Sequence, residues 1–263
     1  MNKKLPILNH RYHDASCITP KLFLEYQKKT KKAPKKDGFP KYCIITSQNN
    51  IVEYLKKKLG AKKNKNWTSN RTNLYTFKIG RKNVGVINVG QGSPQAVIIA
   101  EVLISLGTKY FFIIGSIGGL QKKMKIGDLV LINKALRDEG TSFHYLPPSK
   151  YSFSSKKFSC LFKKFLIKQS VEFVEGAVWT TDAFFRETKK LVAQYQKESV
   201  LGIDMKTSAL FALAKCREVD ICAIFYVSDL LGNLKWEPHL YSPTAKDRQR
   251  VLTDTIILFI KNL

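Results

Sequence analysis

Several short runs in this chain are apolar at nearly every position, and most are followed closely by a segment of helical period. "KYCIITS" (Lys41 to Ser47) leads into "NNIVEYLKKKLG", "VLGID" (Val200 to Asp204) leads into "TSALFALA", and "KYFFIIGSIGGL" (Lys109 to Leu120) and "DICAIFYVSDLLG" (Asp220 to Gly232) read as longer buried strands. A strand without polar alternation is covered on both faces, and strands alternating with helices are the pattern of parallel α/β sheets. The expected fold class is α/β: a single domain whose central mixed, mostly parallel sheet is flanked by helices on both faces.

The remaining segments fill in this scheme. "LYTFKIGRKNVGVINVG" (Leu74 to Gly90) reads as a hairpin about a Gly-Arg-Lys-Asn turn. "SPQAVIIAEVLISLG" (Ser93 to Gly107) reads as a helix capped by Ser93, with Pro94 at its first position and Gly107 at its stop. Asn49 or Asn50 caps the helix ending at Gly60, Gly127 to Gly140 and Val171 to Phe185 hold further strands, and Thr244 to Leu263 is an amphipathic tail helix. Residues 1–40, with a helix from Lys21 to about Lys32, are expected to be an N-terminal extension packed on a domain of residues 41–263.

Composition limits the function classes. No apolar run nears the roughly 20 residues of a membrane-spanning helix, and "MNKKLPILNHRYHDAS" lacks a signal-peptide apolar core, so a cytoplasmic protein with no membrane partner is expected. Five scattered cysteines without Cys-x-x-Cys spacing read as reduced thiols, and no metal site is indicated. The net charge of +25 is concentrated in Tyr26 to Lys36, Leu55 to Asn66 and Leu120 to Gly127. These runs are rich in Lys, poor in Arg and free of interleaved aromatics, which limits them to non-specific attraction of nucleic acid or phosphate.

Chemistry in such a fold sits at the carboxyl ends of strands. Six polar ends qualify: Gly90-Gln91-Gly92, Gly115-Ser116-Ile117-Gly118, Arg137 to His144, Trp179 to Arg186, Asp204-Met205-Lys206 and Ser228-Asp229. Taken together they resemble the nucleoside phosphorylase superfamily of uridine phosphorylases and hexameric purine nucleoside phosphorylases, over about Lys41 to the C-terminus. The resemblance rests on "GSIGGLQKKMKIGDLVL", on "ALRDEGTSFHYLPP", on "WTTDAFF", on "DMKTSALFALA" and on "VSD", which occur in the family's order.

That resemblance implies cleavage of the N-glycosidic bond of a purine or pyrimidine nucleoside, with inorganic phosphate as co-substrate and no cofactor, giving free base and ribose 1-phosphate in a homodimer or hexamer. It implies that Asp229 donates a proton to the base or orients it, a role suited to a carboxyl at an apolar strand end; an N-cap for "LLG" is the structural alternative. Phe184 or Phe185 would stack on the base, the other belonging to the core, with Thr180 and Arg186 nearby and Trp179 a lesser candidate. Met205, Lys206, Asp204 and His144 would surround the ribose. Phosphate would rest in a Gly115-Ser116-Ile117-Gly118 turn with Gly90, Gly92 and Arg137, since backbone amides of a glycine turn form an anion cradle.

Three departures bear on the chemistry. "TSQNN" (Thr46 to Asn50) stands where the family has a Gly- and Arg-bearing turn, and Ile113 stands where a second phosphate Arg occurs. Lys206 replaces the Glu whose carboxylate accepts from the ribose hydroxyls, and an ammonium has donors only. At ~6 Å and an effective dielectric of ~20 its repulsion of an oxocarbenium ion is on the order of 3 kcal/mol, enough to oppose the reaction unless an anion offsets it. Lys206 either takes over phosphate binding while Asp204 serves the sugar, or marks a nucleoside- or nucleotide-binding homologue with impaired catalysis; a hydrolytic nucleosidase is a further alternative.

Overall fold

In the computed structural model, which describes residues 15–29, 38–67 and 72–263, the alternation of apolar runs and helices becomes one mixed sheet between two helical layers. The strands are β1 (Tyr42–Thr46), β2 (Lys62–Lys63), β3 (Leu74–Ile79), β4 (Lys82–Asn88), β5 (Tyr110–Gly119) and β6 (Leu129–Asp138). They continue as β7 (Tyr151–Phe153), β8 (Val174–Thr181), β9 (Val200–Asp204), β10 (Asp220–Leu230) and β11 (Glu237–Pro238). The helices are α1 (Pro20–Lys29), α2 (Asn49–Leu59), α3 (Ser93–Ser105), α4 (Lys156–Lys168), α5 (Lys189–Lys197), α6 (Thr207–Cys216) and α7 (Pro243–Asn262).

β4, β1, β5 and β10 run parallel side by side. β6 lies antiparallel on β10 and then parallel to β8, which is parallel to β9. The fully apolar strands are those buried on both faces. Successive residues alternate between layers: Ile45, Ile113 and Phe225 face one core with α3 and α6, while Ile44, Phe112 and Ile224 face the other with α2, α4 and α7. In the second layer the Phe259 ring meets Phe112, Phe158, Phe162 and Phe165 at centroid distances of 4.7 to 6.0 Å.

Local details differ from the sequence reading at the caps. Gln48, not an asparagine, precedes the first turn of α2, and Asn49 instead accepts from Asn88 Nδ2 at 2.6 Å. Gly92, at a φ of +97° that suits glycine, caps α3, while Ser93 is its first residue. α4 was not anticipated, although Phe158, Phe162 and Leu166 recur every fourth residue on its buried face. α1 sets Leu24 into the core beside α3; the expected end of that helix near Lys32, and the Lys31 to Lys36 part of the first basic run, lie outside the described residues.

The largest correction concerns the glycines after Ile114. They form no turn. β5 runs straight through them, pairing Gly115, Ser116 and Ile117 with Phe225, Tyr226 and Val227 of β10, and pairing Gly118 and Gly119 with Ile203 and Gly202 of β9. Their amides therefore belong to a sheet ladder rather than to an anion cradle. Glycine is required for closeness instead: a Cβ on Gly202 would lie 2.5 Å from Ile117 Cδ1 and 3.0 Å from the Gly118 carbonyl. Gly202→Ala should cost about 1–3 kcal/mol by overpacking this approach, read as a lower urea midpoint at unchanged slope.

Candidate active site

The carboxyl ends of β5, β9 and β10 and the turn after β8 enclose a cleft of about 300 Å³. β5 contributes Ser116 and Gly118, the β9–α6 junction Asp204, Met205 and Lys206, and β10 Ser228 and Asp229. Phe184 and Glu187 come from the turn after β8, Gln91 from the turn before α3, and Trp236 and Leu240 from the loop beyond β10.

Lys206 is buried at 4% exposure and faces this cleft rather than solvent. Its Nζ lies 3.7 Å from Asp204 Oδ2, beyond hydrogen-bond length, and 5.4 Å from the centre of the Phe225 ring. Asp204 is not available to sugar hydroxyls, as the sequence reading had allowed. Its carboxylate accepts from Thr180 Oγ1 and Thr207 Oγ1, each at 2.7 Å, and from the amides of Lys206 at 3.1 Å and Thr207 at 3.0 Å. That arrangement closes the N-terminus of α6 and fixes the Lys206 backbone. Met205 is tied in as well, its carbonyl accepting from Ser93 Oγ at 3.1 Å.

Asp229, 7% exposed, forms the opposite end of the cleft. Ser228 Oγ donates to its Oδ1 at 2.7 Å and Trp236 Nε1 donates to its Oδ2 at 2.9 Å. No helix follows it, since β10 continues to Leu230, so the N-cap alternative does not apply. Glu187, which the sequence reading passed over, lines the same end. Burial, and secondarily the charge of Asp229, push its carboxyl up to about 7.

Other predicted residues go elsewhere. Phe184 lines the cleft, but Phe185 is 93% exposed and belongs to no core; the rings meet edge-on at 5.0 Å. Thr180 is fully buried, bonded to Asp204 and to the Ser208 amide, and does not reach the cleft. Arg137 and Arg186 line a separate cleft of about 470 Å³ beyond β6 and β8. The Arg137 guanidinium is engaged by Ser142, Ser149 and the carbonyls of Leu146 and Pro147, which removes it from any phosphate role in this cleft. His144 is the exposed last residue of a short helical turn whose Ser142 and Phe143 are buried, and it does not line the cleft. Gly92 caps α3 without lining the cleft, though its neighbour Gln91 does.

Where the sequence lacks the phosphate arginines, a neutral network stands. Gln48 Nε2 donates to Ser116 Oγ at 2.9 Å and to the Tyr226 hydroxyl at 2.8 Å, while its Oε1 accepts from Gln249 Nε2 at 2.9 Å. Ile113 is core. Among the described residues that line the cleft, Lys206 is the cation.

A sequence profile of the phosphorylase superfamily matches residues 41–259, which take in every strand and helix that builds this cleft. The chain belongs to the phosphorylase superfamily. Among its relatives are DeoD-type purine nucleoside phosphorylases of Bacillus cytotoxicus, 26% identical over 66% of this chain and 73% of the relative, and of Clostridium novyi, 28% identical over 68% and 75%. The same fold occurs in uridine phosphorylase from Vibrio fischeri ES114, with a TM-score of 0.76 at 22% identity over 87% of this chain and 95% of that one. It occurs again in purine nucleoside phosphorylase from Toxoplasma gondii in complex with immucillin-H, with a TM-score of 0.77 at 20% identity over 87% and 93%.

The raised carboxyl of Glu187 has a thermodynamic sign. Between its unfolded value near 4.5 and about 7 the folded chain holds the extra proton, so stability falls as pH rises through that window and the cost is complete above it. Glu187→Gln should therefore gain about 1–2 kcal/mol over the wild type at pH 8, after discounting for partial solvent access, and nothing at pH 4. Urea unfolding of both proteins at the two pH values checks this.

Proposed function

We propose that the cleft binds a nucleoside and transfers its ribosyl group to phosphate, releasing free base and ribose 1-phosphate. The observation that supports this reading is the meeting of Phe184, Met205, Lys206, Ser116 and Asp229, drawn from four distant stretches of sequence, around one cleft. Breaking the bond leaves positive charge on the sugar and negative charge on the base, so the site needs an anion on one side of the ribose and hydrogen bonding at the base. The base would stack on Phe184 with its polar edge toward Asp229. The sugar would lie over Met205.

Lys206 and the Ser116 hydroxyl would hold the attacking phosphate. An ammonium behind the sugar opposes an oxocarbenium ion, and only part of that charge is offset by Asp204 at 3.7 Å. A bound phosphate removes the conflict and becomes the nucleophile. The neutral Gln48 network favours a second reading, in which nucleoside binding persists with little turnover, because it leaves one lysine where two arginines would grip the anion.

Incubation with purine and pyrimidine nucleosides, with and without phosphate, separates these readings: phosphate-dependent release of base supports transfer, and binding without release supports the second. Lys206→Met, which keeps the apolar stem, should weaken phosphate binding at least tenfold by calorimetry; an unchanged phosphate affinity removes Lys206 from the reaction. Asp229→Asn keeps the shape of the base end and should lower base release on the order of 100-fold with nucleoside affinity nearly unchanged, whereas wild-type turnover would remove its role.

A further inference from the structure

Two carboxyls meet at the base end of the cleft, and they differ in what already binds them. Both oxygens of Asp229 accept hydrogen bonds, from Ser228 and Trp236. Among the described residues no hydrogen bond reaches the Glu187 carboxyl; it lines the cleft beside Phe184, on the short helical turn's C-terminal side, and feels the Asp229 charge. We propose that Glu187 is a catalytic residue of this site and that it delivers the proton to the leaving base while Asp229 accepts a hydrogen bond from the base. This rests on the nucleoside reading above.

The division of roles follows from hydrogen-bond chemistry. A protonated carboxyl beside an ionised one offers one donor and one acceptor. A 6-aminopurine presents both complements on one edge: N7 accepts, and the 6-amino group beside it donates.

The step balances. As the bond between C1′ and N9 breaks with its electron pair moving to the base, the proton passes from the Glu187 carboxyl to N7. A phosphate oxygen bonds to C1′. Glu187 is left as a carboxylate and recovers its proton from water.

The charged groups that line the cleft with Glu187 are Asp229 on β10, Asp204 at the end of β9 and Lys206 at the start of α6. Asp204 is already paired with Lys206 and saturated by local donors, which leaves Asp229 as the charge acting on Glu187. Burial together with that charge keeps the Glu187 carboxyl protonated up to about 7, the state in which it can donate.

The test measures kcat/KM for adenosine between pH 5.5 and 8.5, alongside the side-chain carboxyl carbon resonances of glutamate-labelled protein with and without adenine. With Glu187 as donor, kcat/KM falls about tenfold per pH unit above the midpoint near 7. Glu187→Gln lowers it on the order of 100-fold at pH 6 and flattens the profile, and Asp229→Asn moves the midpoint of the Glu187 resonance to lower pH. A Glu187→Gln enzyme that keeps the wild-type profile overturns the assignment while nucleoside cleavage stands. A wild type that releases no base, but whose Glu187 resonance titrates near pH 7 and moves on adding adenine, keeps Glu187 as a base-binding group and overturns cleavage and its role as acid. A resonance indifferent to adenine overturns both roles.

Discussion

The close approach of β9 to the end of β5 decides where everything in the cleft can stand. With Gly118 and Gly119 facing Ile203 and Gly202, two backbones meet without side chains between them. One residue beyond Ile203 the chain reaches Asp204 and turns into α6, so Lys206 is delivered against the end of β5. On the other side of β5, Gly118 is equally constrained: a Cβ there would lie 2.8 Å from Leu231 Cδ1 and 3.1 Å from Asp229 Oδ2. The same glycines thus admit the Lys206 end and the Asp229 end of the cleft from opposite sides.

Electrostatically the two ends are opposed. At one, a buried cation is held by a carboxylate whose hydrogen bonds are all internal; at the other, two carboxyls crowd together without a cation among the described lining residues. A ligand that is anionic at one end and rich in hydrogen-bonding groups at the other matches this polarity. Low-dielectric walls strengthen both interactions relative to water, which is why one lysine at 4% exposure matters more here than the many surface lysines that dominate the net charge.

The fold was largely legible from the sequence because its signal is strong: strands buried on both faces are apolar throughout, and helices between them carry the four-residue period. Asp229, Phe184, Met205 and Lys206 could be placed in the cleft because strand ends and motif order locate them. What could not be read were contacts that depend on distant partners. Nothing local reveals that Asp204 is consumed by Thr180 and Thr207, that Arg137 holds its own loop, or that Gln48 joins Ser116, Tyr226 and Gln249. The glycine run misled for a related reason: glycine serves both tight turns and close strand contact, and only the partner strand tells them apart. Glu187 carried no local signal, being one charged residue in "RETKK".

Glu187 and Phe184 sit on a short turn between β8 and α5, whereas Lys206 and Asp229 are anchored in or beside the sheet. Lys206 and Asp229 are therefore locked to the core, whereas Phe184 and Glu187 hang from a connection. Loops tolerate exchange far better than packed strands do. A few substitutions between residues 183 and 188 can thus reshape one end of the cleft without disturbing the sheet that holds the other, and the same short segment is where an engineer would graft a different ligand preference.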